Sequence, residues 1–190
     1  MNKGTEAEFK TLLTKEEYDK LIEMFDGNKY DFQTNHYFDT KRFSLKAVDA
    51  SLRVKERDDT LELTLKKKKG YAIHEFKEEI TQEEFAVLKE TGVIEKEKIK
   101  VETTSIIQDQ LVHNYLSLST KRMYLPYSNG VLFIDESTYL GEIDYELEYV
   151  ATSYHEGKKE FIAIISELAI QYKKAEKKIK RAMNAYKRLY

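Results

Sequence analysis

Leu52-Arg53-Val54-Lys55-Glu56-Arg57-Asp58-Asp59-Thr60-Leu61-Glu62-Leu63-Thr64-Leu65-Lys66-Lys67 is the stretch that decides the fold. Leu52 and Val54 alternate with charged residues before the Asp58-Asp59-Thr60 interruption, and Leu61, Leu63 and Leu65 alternate after it. A period of two sends successive side chains to opposite faces of an extended chain, so the stretch reads as two strands joined by a tight turn. One face is apolar. The other carries Arg53, Lys55 and Arg57 on the first strand and Glu62, Thr64 and Lys66 on the second.

The same alternation recurs at Thr5–Leu13, Thr34–Thr40, Ala72–Thr81, Ser117–Leu125, Val131–Thr138 and Glu142–Ala151. Lys69-Gly70 and Ser128-Asn129-Gly130 supply hairpin turns between neighbours. Helical spacing takes over at Thr14–Phe25, where Thr14 and Glu17 make a capping box ahead of Tyr18, Leu21, Ile22 and Phe25. Thr81–Glu90 repeats the device with Thr81 and Glu84, then Phe85 and Leu88. Further helices are expected over Ser105–Tyr115, Tyr154–Tyr172 and Ala175–Leu189. Strands joined mostly by hairpins, with helices at the edges, predict an α+β fold. Its expected form is an antiparallel eight-stranded β-barrel, closed into a tunnel, with flanking helices.

A length of 190 residues suits a single domain spanning 1–190. Charged residues make up 35% of the chain, yet the net charge is only -2. That balance argues against a general nucleic-acid binder, which carries a basic excess. The absence of cysteine excludes a disulfide scaffold and a thiolate zinc site and makes a cytoplasmic address the default. No signal-like apolar run opens the chain, and nothing approaches the ~20 apolar residues of a membrane span. His36, His74, His113 and His155 lack paired ligand spacing, and no P-loop motif occurs. The basic stretch Lys173–Arg188 reads as a solvated amphipathic helix with Ile179, Met183, Tyr186 and Leu189 as its stripe.

The charges are sorted along the strands. Glu6 and Glu8 share a face with Lys10, and Asp144, Glu146 and Glu148 alternate with Tyr145, Leu147 and Tyr149. Taken singly, each row is most simply a solvent-facing one. Acid-only rows nevertheless repel themselves unless a cation lies between them, and basic rows do so unless an anion neutralises them. Charged faces turned inward around a polyphosphate and a hard divalent metal resolve both repulsions together.

The segments TEAEFK, NHYFDT, LRVKER, LELTLKKK, EFKEEI, STKR, FIDESTYLGEIDYELEYV and EKKIKRAM follow one another in this order. Together they resemble the CYTH superfamily of triphosphate tunnel metalloenzymes, in its small stand-alone bacterial branch. The resemblance implies that Glu6, Glu8, Asp135, Glu146 and Glu148 ligate one or two Mg²⁺ or Mn²⁺ ions. It makes Lys10, Arg53, Lys55, Lys66, Arg122, Lys178 and Arg181 the triphosphate-binding residues. Glu6, Glu8, Glu146, Glu148 and Lys66 become the catalytic candidates. Glu79 stays open between a carboxylate of the metal shell and a partner for a nearby lysine. Lys55 stands where many members have arginine, and Lys177 replaces the serine that usually precedes Lys178.

The implied activity is metal-dependent hydrolysis of inorganic or small organic triphosphates. A class IV-type adenylate cyclase, turning ATP into cyclic AMP and pyrophosphate, is one alternative. A non-catalytic polyphosphate- or nucleotide-binding module is the other. The expected partner is a small-molecule triphosphate, without nucleic acid or membrane, and a homodimer is left open.

Overall fold

The structure, a computed structural model, describes residues 7–27, 29–70 and 72–189. Its strands are β1 (Ala7–Leu13), β2 (Tyr30–Asp39), β3 (Ala50–Arg57), β4 (Thr60–Lys69), β5 (Ala72–Glu79), β6 (His113–Tyr127), β7 (Gly130–Tyr139) and β8 (Glu142–Ala151). The helices are α1 (Lys15–Met24), α2 (Gln82–Thr91), α3 (Glu97–Ile107), α4 (Tyr154–Glu167) and α5 (Lys178–Leu189). Hydrogen bonding orders the strands β1-β8-β7-β6-β2-β3-β4-β5.

Among the described residues β1 and β5 do not pair, so the sheet is open where a closed barrel was expected. The edge of β1 is already in use. The Leu12 N–H donates to the Lys173 carbonyl at 3.0 Å, and Thr11 forms a bridge with Lys174. A short extended segment thus takes backbone groups that a closing strand would have needed. At the other end β5 carries Glu75, Lys77 and Glu78, charges that discourage edge pairing.

The chain divides into two compact units, one made of the described residues up to Phe32 with Thr120 onward, the other of Gln33–Ser119. In the first, Met123, Leu132, Ile134, Leu147 and Tyr149 form an apolar sheet face buried with Leu21 of α1 and Phe161 and Ile164 of α4. The expected capping box starts α1: the Glu17 N–H donates to Thr14 Oγ1 at 3.1 Å, and the Thr14 N–H donates to Glu17 Oε2 at 2.7 Å. The β6–β7 hairpin turns at Ser128-Asn129, with Ser128 at φ 52°.

In the second unit the opening stretch behaves as read. Leu52 faces Leu65 and Val54 faces Leu63 in register, and all four are buried with Phe85 and Leu88 of α2 and Ile99 and Ile107 of α3. The Thr81–Glu84 capping box starts α2. Buried Asp39 organises the loop after β2, accepting from the Thr40 and Leu45 amides at 2.7 and 2.9 Å through Oδ1 and from Lys46 at 3.0 Å through Oδ2.

The last three helices in the chain differ from expectation. The helix placed at Ser105–Tyr115 lies at Glu97–Ile107, and β6 already runs from His113. Lys96 sits at the N-cap of α3 without a side-chain cap, so the helix start lacks the polar signal that marks α1 and α2. Its phase shows only in buried Ile99, Thr103 and Ile107, spaced four apart. α4 stops at Glu167 rather than Tyr172, and Ala169 turns at φ 53°. In α5 the buried positions are Ala182 and Ala185, while Leu189 is 58% exposed. Small residues let this helix approach closely, and the expected stripe is only partly covered.

Candidate active site

In the first unit the apolar phase of β8 places its acids. Leu147 and Tyr149 are fully buried in the core, which sends Asp144, Glu146 and Glu148 to the opposite face. Register then sets Glu146 across from Asp135 of β7, and Glu148 across from Lys10 of β1. Asp135, Glu146 and Glu148 are all buried, and a carboxylate oxygen from each lies within 4.8 Å of the others. Three such carboxylates together are untenable without compensation.

Cations from three elements compensate them. Arg122 of β6 grips Asp135 in a fork, Nε to Oδ1 at 2.7 Å and Nη2 to Oδ2 at 2.6 Å, and Nη2 also donates to Glu148 Oε2 at 2.8 Å. The guanidinium stacks over the Phe133 ring at 4.4 Å. Lys178 Nζ donates to Asp135 Oδ2 at 2.7 Å and to Glu146 Oε1 at 2.6 Å. Arg181 Nη1 donates to Glu146 Oε2 at 2.7 Å, and Lys10 Nζ reaches Glu148 Oε1 at 3.4 Å. All six oxygens of the cluster therefore accept from a cation.

The same contacts shift protonation. Burial disfavours the charged form of Asp135, yet hydrogen bonds from Arg122 and the charges of Lys178 and Arg122 outweigh it, holding the carboxyl below its ordinary 3.8. Burial also opposes the Lys178 ammonium, and the charges of Asp135 and Glu146 overturn that, holding it above 10.5. Asp135 thus contributes stability that is present above its ordinary value and lost as pH falls through the lower folded value. The Asp135→Asn variant should unfold about 3–5 kcal/mol more easily in urea at pH 7, because two half-buried cations lose a fully buried counter-ion. That gap should narrow below pH 3.8 as the wild type loses the same charge. A gap constant with pH would show that the carboxylate charge is not its source.

Five expected site residues besides Glu146 and Glu148 are brought together here: Lys10, Arg122, Asp135, Lys178 and Arg181. Glu8 is peripheral, with a side chain 58% exposed and Lys10 at 3.4 Å. Glu6 lies outside the described residues. Asp144 joins this cluster of charges, although the sequence reading placed it in the Glu146–Glu148 row without giving it a role. It accepts a fork from Arg181, Nε to Oδ2 at 2.7 Å and Nη2 to Oδ1 at 3.0 Å, and the Tyr139 hydroxyl at 2.6 Å.

The second unit has its own polar face, opposite its leucine face. Arg53 pairs with Thr64, Lys55 with Glu62 and Ser51 with Lys66, while Asn35 and Tyr37 of β2 stand beside Lys55 and Arg53. Signs are mixed rather than segregated across β4 and β5: Lys66 meets Glu75 at 3.1 Å, and Lys77 meets Glu75 at 3.3 Å and Glu62 at 3.7 Å. Glu79 is exposed opposite Glu62. Among the described residues the buried Arg53 Nε and Asn35 Oδ1 meet no hydrogen-bond partner. Unsatisfied buried polar atoms on a charged face point to a ligand that completes them. Asn35 carries no charge, so no alternation of signs singles it out.

The oxygen-only donor set of Asp135, Glu146 and Glu148 can hold a hard metal ion. Among the described residues no helix is long and apolar enough to cross a membrane. A Bacillus subtilis (strain 168) relative, YjbK, provisionally named a triphosphatase, is 30% identical over 187 residues, 95% of each chain. A Bacillus halodurans structure, bh2851, provisionally described as an adenylate cyclase, superposes with a TM-score of 0.72 at 29% identity, covering 95% of this chain and 98% of that one. HpAC1 from Hippeastrum, a provisional adenylyl cyclase described as having a dominant triphosphatase activity, shares the fold at a TM-score of 0.72 and 20% identity, covering 95% and 96%. The CYTH domain model matches residues 4–183, nearly the whole length, and the chain belongs to that family.

Proposed function

We infer that this chain is a metal-dependent triphosphatase that hydrolyses inorganic or small organic triphosphates. The observation that carries it is the buried trio Asp135, Glu146 and Glu148, laced to Arg122, Lys178 and Arg181. A fold built for stability alone gains little from such a cluster, since buried ion pairs rarely repay their desolvation. A site for a metal-bound polyanion needs both signs. YjbK, with its triphosphatase name and 30% identity, supports the same reading.

Asp135, Glu146 and Glu148 are the residues that would hold Mg²⁺ or Mn²⁺, with Glu6 and Glu8 as further proposed ligands. A divalent ion bound there would neutralise charge on phosphoryl oxygens and make a bound water more acidic. Arg122, Lys178, Arg181 and Lys10 would hold phosphate oxygens, with arginine forks suited to the paired oxygens of a phosphoryl group. Arg53, Lys55 and Lys66 are proposed for the same task, and the unpaired Arg53 Nε supports that role. Water attacks the terminal phosphorus, the bond to the bridging oxygen breaks with the diphosphate portion as leaving group, and the water's proton passes to solvent, giving orthophosphate. The residues contribute positioning and preorganised charge.

Purified protein with Mg²⁺ or Mn²⁺ should release orthophosphate from inorganic triphosphate or from an organic triphosphate in a panel, and a chelator should stop it. Cyclic AMP and pyrophosphate formed from ATP would instead favour the cyclase chemistry named for bh2851. No phosphate above background with either metal on any substrate defeats the triphosphatase reading.

A further inference from the structure

Phe133 of β7 stands on the wrong face for an apolar side chain. Its neighbours Leu132 and Ile134 are fully buried in the core, and the alternation that sends Asp135 to the charged face sends Phe133 there too. Register sets it across from Glu148. The side chain is half-buried and stands outside the apolar cluster of its unit. What it meets is the Arg122 guanidinium, 4.4 Å from the ring centroid. An aromatic face attracts a cation through its quadrupole and uses none of the guanidinium's N–H donors. The fork on Asp135 and the bond to Glu148 engage Nε and Nη2, and Nη1 is not among the donors.

We propose that Phe133 is a positioning residue for triphosphate binding, the platform on which Arg122 turns from the carboxylates to a phosphate oxygen. This role rests on the triphosphatase reading and adds to it a residue that carries no charge. In the ligand-free protein the fork on Asp135 already fixes the guanidinium, so the ring adds little there. Once phosphate draws the guanidinium off the carboxylates the fork is gone, and the ring is the contact that still holds its plane. Without the ring, a long side chain must give up its freedom at the moment of binding, and affinity falls. The ring therefore contributes more in the complex than in the free protein, and truncation weakens binding more than folding. Leucine or isoleucine keeps an apolar body at this position but offers the cation no π-face.

Calorimetric titration of imido-linked inorganic triphosphate at fixed Mg²⁺ tests this. Phe133→Leu and Phe133→Ile should each weaken binding about fivefold, the scale of one long side chain immobilised on binding. Phe133→Tyr, which keeps the ring face, should bind within about twofold of wild type. In an Arg122→Ala background Phe133→Leu should have no further effect, because the cation the ring serves is gone. In turnover of inorganic triphosphate the loss should fall on KM, with kcat within about twofold of wild type. Unchanged affinity in both aliphatic variants, a tyrosine variant as weak as leucine, or an equal loss without Arg122 overturns the proposal. Failure of both aliphatic variants to fold makes the ring a structural brace and does the same. If wild-type protein hydrolyses inorganic triphosphate while Phe133→Leu binds the analogue unchanged, the platform alone falls. If wild-type protein neither binds the analogue nor releases phosphate from any substrate of the panel, the triphosphatase reading falls with it.

Discussion

Replacing Glu146 with glutamine should lower the rate of triphosphate hydrolysis at saturating substrate by at least about a thousandfold, roughly 4 kcal/mol of transition-state stabilisation. The side chain is 1% exposed and takes Lys178 on one oxygen and Arg181 on the other. It therefore touches both cations assigned to phosphate and is itself a proposed metal ligand. Glutamine keeps the shape and one acceptor oxygen, but its amide nitrogen must face a cation, and it is a far poorer ligand for a hard ion. Alanine would be a weaker test, because it removes both acceptor oxygens and leaves a cavity in addition to the lost counter-charge that glutamine, like Asp135→Asn, already imposes. The glutamine variant should stay folded by circular dichroism while activity is lost. Hydrolysis within about tenfold of wild type would make Glu146 a structural ion-pair residue and remove it from the chemistry.

Much of this site is legible in strand phase. Once Leu147 and Tyr149 are taken as core, Glu146 and Glu148 have only one face to occupy, and Asp144 follows at the next alternation. The sequence reading set Asp144 in that row but gave it no role. The carboxylate fork on Arg181 depends on the placement of α5, which begins only at Lys178. Period-two patterns also yielded all eight strands, and capping boxes yielded α1 and α2. α3 escaped because Lys96 offers no capping oxygen and the helix is marked only by buried residues four apart. Barrel closure was not readable at all. It turns on whether the edge of β1 is free, and the Lys173–Lys174 segment that occupies it shows no strand alternation.

The polar faces were read as segregated by sign, and the two units answer differently. In the first, acids on β7 and β8 meet cations delivered by β6, α5 and β1, so segregation along each strand becomes pairing between elements. In the second, Lys66, Glu75, Lys77 and Glu62 already neutralise one another across β4 and β5. The contrast assigns different tasks. Mutual neutralisation leaves Arg53, half-buried and with a buried Nε that meets no hydrogen-bond partner, as the better candidate for an anion on that face than Lys66. Arg53→Lys should accordingly raise KM more than Lys66→Arg does.

The pairing in the first unit leads to a second large effect: divalent metal and triphosphate should bind cooperatively, each raising the affinity for the other about a hundredfold. Every oxygen of Asp135, Glu146 and Glu148 accepts from a lysine or an arginine. A metal arriving alone must share or displace those cations, leaving half-buried positive groups without partners. A polyphosphate arriving alone must draw Arg122, Lys178 and Arg181 away and leave buried carboxylates bare. Either half-reaction carries the penalty of an unpaired buried charge. Arriving together, the metal takes the carboxylates and the phosphates take the cations, so ion pairs are exchanged and none is lost. Linkage requires the enhancement to be the same in both directions, and about a hundredfold corresponds to roughly 2.7 kcal/mol of coupling. Calorimetric titrations of Mg²⁺ with and without imido-linked triphosphate, corrected for the complex these form in protein-free buffer, measure it directly. The coupling should shrink in Arg122→Ala, where one of the exchanged cations is absent. Independent binding, with Mg²⁺ affinity unchanged by the analogue, would mean that the cations stay on the carboxylates throughout. In that case the cluster is a structural brace and not the place where phosphate and metal meet.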